Sequence, residues 1–80
     1  MWKLSVNSWI IDAKMSVIDL EKHLNILIPH RAEYETIGGF VFHKVGSIPK
    51  KGWKMYFDQF ELEILSSSDK TIDKLKITSL

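Results

Sequence analysis

The sequence predicts an α+β domain: an antiparallel β-sheet with two helices packed on one face, in the order β-β-α-α-β-β-β. Three observations carry that expectation. Residues Trp53–Ile64 alternate apolar and polar side chains about Asp58-Gln59, the pattern of a half-buried antiparallel hairpin. Tyr34–Gly52 holds a complete set of helix start and stop signals, and a shorter set surrounds Ser16. Eighty residues with 45% hydrophobic content suffice for a single domain, residues 1–80.

Trp2–Val6 and Trp9–Ala13 read as an opening hairpin about a two-residue turn, Asn7-Ser8. The first helix is marked by Ser16 as N-cap and Asp19 in a shortened capping box, with Met15 and Leu20 as a hydrophobic staple. Val17, Leu20, Leu24 and Leu27 follow helical spacing; Asn25 is a candidate C-cap, and Pro29 ends the excursion. His30–Glu33 is a polar connection. In the second helix Thr36 is the N-cap, with Glu33 and Glu35 where the helix dipole favours negative charge. His43 and Lys44 fall in its last turn, Gly46 suits a left-handed C′ position, and Pro49 prevents continuation. Ile37, Phe40, Val41, Phe42 and Val45 form a wide apolar arc, so this helix should be mostly buried. Gly38 and Gly39 then mark close approach of another element, since each costs about 1 kcal/mol against alanine inside a helix. The competing assignment is a strand over Phe40–Val45, opened by a Gly-Gly turn.

The C-terminal strands can be registered. A turn at Asp58-Gln59 pairs Phe57 with Phe60, Met55 with Leu62 and Trp53 with Ile64, and sets Lys54 against Glu63 and Tyr56 against Glu61. A loop over Ser67-Ser68-Asp69-Lys70 then sets Glu63 against Lys74, Glu61 against Lys76, Leu62 against Leu75 and Phe60 against Ile77. Ile64 would face Asp73 in that register, which calls for a bulge there.

A net charge of +1, with 26% charged residues, gives no electrostatic instruction toward nucleic acid or an anionic membrane. The absence of cysteine excludes disulfides and thiolate chemistry. No apolar run approaches the roughly 20 residues of a membrane span, and the N-terminus lacks the basic head and apolar core of a signal peptide.

No residue set composes a catalytic or cofactor site. His23, His30 and His43 match no compact zinc spacing. Asp19, Glu21, Glu33 and Glu35 lack the paired, contrasting environments of acid–base work, while Glu61 and Glu63 are accounted for by cross-strand lysines. Ser66-Ser67-Ser68 sits in a turn with no histidine near in sequence. Gly38-Gly39 belongs to neither a dinucleotide fingerprint nor a P-loop. The weak cofactor candidates are Thr36, Gly38 and Gly39, where ligand phosphates could approach a helix N-terminus. Lys50-Lys51-Gly52-Trp53-Lys54 interleaves charge with an aromatic, as single-stranded nucleic-acid binders do, but reads better as a solvated loop feeding a strand whose Trp53 points inward.

Taken in order, several short blocks resemble the CorC/HlyC transporter-associated domain. They are Ser8-Trp9-Ile10-Ile11-Asp12, Ser16–Leu20, Ile26-Leu27-Ile28-Pro29, Tyr34-Glu35-Thr36-Ile37-Gly38-Gly39 and Gly46-Ser47-Ile48-Pro49-Lys50-Lys51-Gly52. The likeness covers Ser8 to Thr78. Ala13, Gln59 and His43-Lys44 depart from the family pattern. The resemblance assigns structural roles to Trp9, Asp12, Pro29, Tyr34, Thr36, Gly38, Gly39, Gly46, Ile48, Pro49 and Gly52. It implies an accessory or regulatory domain of a bacterial membrane ion transporter, on the cytoplasmic side of the inner membrane, and the residues themselves give no reason to expect catalysis or a cofactor. Its partners would be the transporter's membrane and CBS domains or a second copy of itself. Related proteins are associated with magnesium, cobalt or other cation export. Two other readings stay open: a sensor of flavin adenine dinucleotide or an adenine nucleotide, and a plain interaction or dimerisation module. Trp2, Trp9 and Ile72 are the candidate interface residues, with Trp9 equally suited to the core.

Overall fold

A computed structural model describes residues 1–29 and 32–80; His30 and Arg31, part of the expected polar connection, lie outside the described residues. Strands β1 (Trp2–Ser5) and β2 (Ser8–Asp12) precede helices α1 (Val17–Leu24) and α2 (Ile37–Val45), and β3 (Lys54–Phe57), β4 (Phe60–Ser67) and β5 (Ile72–Ser79) follow. The five strands form one antiparallel sheet in the order β1-β2-β5-β4-β3. The last strand in sequence is therefore the middle strand in space. Both helices sit in the β2–β3 connection, and the core lies between them and the inner sheet face: Ile11, Leu75, Ile77, Leu62 and Ile64 meet Leu20, Ile37, Phe40 and Val41. The predicted α+β order is the observed one.

The β3–β4 register is as expected, from Phe57–Phe60 to Lys54–Glu63. It is extended by the Gly52 amide donating to the Ile64 carbonyl and the Ile64 amide to that of Trp53. The β4–β5 register is corrected by two residues: Leu62 faces Ile77 and Glu63 faces Lys76, with Ile64 against Leu75. A two-residue slip leaves every side chain on its expected face and changes only its partner, so facial alternation cannot detect it. The hairpin tip is Ser68–Thr71 instead of Ser67–Lys70. There the Ser68 amide donates to the Thr71 carbonyl, and the Lys70 and Thr71 amides donate to the Ser68 hydroxyl. Asp73 is an unpaired residue between Ile72 and Lys74, as the expected bulge requires, and Leu65 is a second one on β4.

Three further expectations are corrected. The first hairpin turns at Val6-Asn7 and is bulged between Lys3 and Ser5, so Trp2 pairs with Ile10; the expected turn would have placed it against Ala13. That odd shift moves Trp2 to the outer sheet face, where it is 71% exposed. The Asn7 turn is fixed by β5, with the Ser79 amide donating to the Asn7 carbonyl and the Asn7 side-chain amide donating to the Ser79 carbonyl. Next, α1 ends at Leu24: Asn25 takes the left-handed conformation (φ 55°), and Leu27 lies beyond the helix and exposed while Ile26 and Ile28 turn inward. Finally, Phe42 stands on the solvent side of α2, 47% exposed, so that helix is less enclosed than its apolar arc implies. The competing strand over Phe40–Val45 is excluded by the helix itself, capped by Thr36 and closed by Gly46 at φ 84°.

Candidate functional site

The starts of the two helices lie side by side, and each completes the other. The Val17 amide, first in α1, donates to the Glu35 carbonyl, and the Ile37 amide, first in α2, donates to the Met15 carbonyl, both within 3.0 Å. These paired bonds form an isolated antiparallel bridge between Ser16 and Thr36, the two N-caps. A helix begins with four amides that lack intrahelical partners, and here the first of each is satisfied by the neighbouring helix. The Ser16 hydroxyl accepts from Ile18 and the Thr36 hydroxyl from Gly39. The Gly38 amide donates to the Ala13 carbonyl at 2.9 Å.

The same contact explains the glycine pair. A Cβ on Gly38 would stand 2.9 Å from the Ala13 Cβ and 3.0 Å from its carbonyl oxygen. One on Gly39 would stand 3.0 Å from the Tyr34 Cβ and 3.2 Å from the Thr36 hydroxyl. Tyr34 is buried, its hydroxyl donates to the Pro29 carbonyl, and its ring meets Phe40 edge-on. Farther along, the Ser67 hydroxyl donates to the Pro49 carbonyl and ties the Gly46–Gly52 loop to β4, while Gly52 holds φ 91°.

Asp12 closes β2. One carboxylate oxygen accepts from the Lys14 amide at 2.9 Å and the other from the Lys74 ammonium at 3.3 Å. The backbone amide of Lys14 first, and then Lys74, hold the Asp12 carboxyl below its ordinary pKa. The bulged Asp73 accepts from the Thr71 and Ser66 hydroxyls through its side chain, and its backbone carbonyl accepts from the Ala13 amide at 3.0 Å. Between the Asp12–Lys14 turn, the first turn of α2 and the β4–β5 tip lies an open cleft of about 440 Å³. Thr36, Gly38 and Gly39 line it, as do Lys14, Phe42, Ile48, Lys70 and Ile72.

The weak cofactor candidates Thr36, Gly38 and Gly39 thus come together at a cleft, but the amides that would receive a phosphate are already engaged. Of the candidate interface residues, Trp2 is exposed and Trp9 packs partly against the core, whereas Ile72 belongs to the core at 9% exposure and faces inward. Lys14 and Lys70 are not marked by the sequence as site residues, and Asp73 is marked only as a bulge; the three converge on the cleft only because β2 and β5 pair across more than sixty residues of chain. Among the described residues, no three His, Asp or Glu side chains converge as metal ligands, and no helix is long and apolar enough to cross a membrane.

A family model described as the transporter associated domain, CorC_HlyC, matches residues 2–80. A polyamine export protein of Salmonella typhimurium is 33% identical over 75 residues, which are 92% of this chain and 17% of that protein. The chain therefore spans about a sixth of the length of the curated relatives it matches first. Among solved structures, a CorC_HlyC domain from Haemophilus ducreyi is 35% identical with a TM-score of 0.81, covering 92% of this chain and 97% of that one. The corresponding domain of a Xylella fastidiosa hemolysin, solved in complex with Mg²⁺ and Mn²⁺, is 26% identical with a TM-score of 0.79, covering 91% and 87%.

Proposed function

The chain belongs to the CorC/HlyC transporter-associated domain family, and from that premise we propose that it is a non-catalytic accessory domain that regulates a membrane ion transporter from the cytoplasmic side. The observation that carries this reading is the family match over residues 2–80; a 75-residue likeness to 17% of a polyamine export protein supports it. The fold agrees with it. The residues of the family motifs tie helix starts, loops and strands together. In this reading the domain's partners are the membrane and CBS portions of the same polypeptide, and the cargo is a cation, either a divalent metal or a polyamine.

The test is made on the full-length transporter with this segment deleted. Membrane insertion is checked first, and export of magnesium, cobalt and a polyamine is then measured across a range of intracellular concentrations. The expected result is retained insertion with an altered rate or threshold for one cargo. Identical transport curves for all three would overturn the reading.

The alternative, a sensor of flavin or adenine nucleotide at the start of α2, has less support. Ile37, Gly38 and Gly39 donate their amides to Met15, Ala13 and Thr36, so the first turn offers no free cluster of donors to a phosphate.

A further inference from the structure

The cleft beside α2 combines an apolar floor with a rim whose charges are unequally engaged. Ala13, Ile48 and Ile72 form the floor, and Phe42 stands half exposed at its edge. Three lysines and two aspartates line it, a local excess of one positive charge. Both aspartates already have partners within the fold: Asp12 holds the Lys14 amide and the Lys74 ammonium, and Asp73 holds two hydroxyls. Among the described residues no ion pair engages the ammonium groups of Lys14 and Lys70, both of which line the cleft.

We propose that this cleft is a docking groove for an acidic peptide segment of a partner protein, with one apolar side chain seated on the floor and carboxylates on either side of it facing Lys14 and Lys70. A phosphate or nucleotide fits the site less well, because the helix amides are engaged. A neutral segment would gain no attraction from the two ammonium groups. Two rim charges that face solvent favour modest affinity with marked salt dependence. The proposal goes beyond the accessory role: it is tested on the isolated chain, whereas that role is tested by transport, so the two can fail separately.

The probe is a fluorescein-labelled Glu-Asp-Phe-Glu-Asp peptide, followed by anisotropy and by amide chemical shifts of the ¹⁵N-labelled chain. The controls are Gln-Asn-Phe-Gln-Asn and Glu-Asp-Ala-Glu-Asp peptides and vesicles containing phosphatidylglycerol. Saturable binding is expected, with shifts centred on Ala13, Lys14, Gly38 and Ile72. Affinity should fall about tenfold or more in the doubly substituted Lys14→Glu, Lys70→Glu chain and with either control peptide. Both lysines are exposed, so this variant should keep the wild-type melting temperature. Equal binding of the neutral peptide, shifts centred elsewhere, no binding at millimolar peptide, or binding of vesicles without peptide would each overturn the proposal.

Discussion

Gly38 leaves no room for a methyl group, because both the Ala13 side chain and its carbonyl stand in the way. Gly38→Ala should therefore destabilise the domain by about 1–3 kcal/mol, the usual cost of overpacking. Adding Ala13→Gly should recover only part of that loss in denaturant melts, since the carbonyl oxygen remains 3.0 Å away. Full recovery would show that the side chain alone sets the spacing. At Asp12 the prediction concerns pH. Its folded pKa is depressed, so the stability it contributes is present above the ordinary value of 3.8 and is lost as pH falls through the lower folded value. The Asp12 carboxyl should titrate below 3.8 by carbon NMR. Lys74→Met should raise the midpoint without restoring it fully, because the Lys14 amide is the larger cause. A midpoint unmoved by Lys74→Met would remove that lysine from the account.

Among the elements, the helix starts behave as a pair. Thr36→Ala removes the acceptor for the Gly39 amide and should cost about 1 kcal/mol. Because the Ser16–Thr36 bridge joins the helices, the same substitution should also speed hydrogen exchange at the Val17 amide, which is in α1. Faster exchange confined to α2 would show that the helices open independently. Both N-caps, the Asn25 and Gly46 endings and the Asp58-Gln59 turn were legible in the sequence, since each is fixed by chemistry within a few residues. The β4–β5 register was not. It depends on a Ser68 hydroxyl organising the tip and on two bulges, and alternation of side chains is blind to a slip of two. The first turn was missed by one residue because Asn7 is held by Ser79, a partner at the other end of the chain. The cleft was half visible: its Thr36-Ile37-Gly38-Gly39 wall stands out as a motif, whereas its lysine-bearing walls come from segments that only the sheet brings together.

Across the whole molecule the two sheet faces have different tolerances. Ile72→Ser should cost about 2–4 kcal/mol, as truncation of a buried aliphatic residue does, whereas Trp2→Ser on the outer face should stay within about 0.5 kcal/mol. Chemical denaturation of the two variants separates the assignments, and a large loss at Trp2 would mean that β1 is anchored by its tryptophan. Both sheet edges are short, four residues each, and β1 also carries a lysine and a bulge, devices that discourage strand-to-strand association. The position of β5 has a consequence for how this fold comes into being. The β1–β2 and β3–β4 hairpins touch no common strand until Ile72–Ser79 arrives between them. Without that strand the chain can hold two separate hairpins and a pair of helices, but no continuous platform. A continuous sheet therefore requires one strand to be inserted between two partners that precede it in sequence.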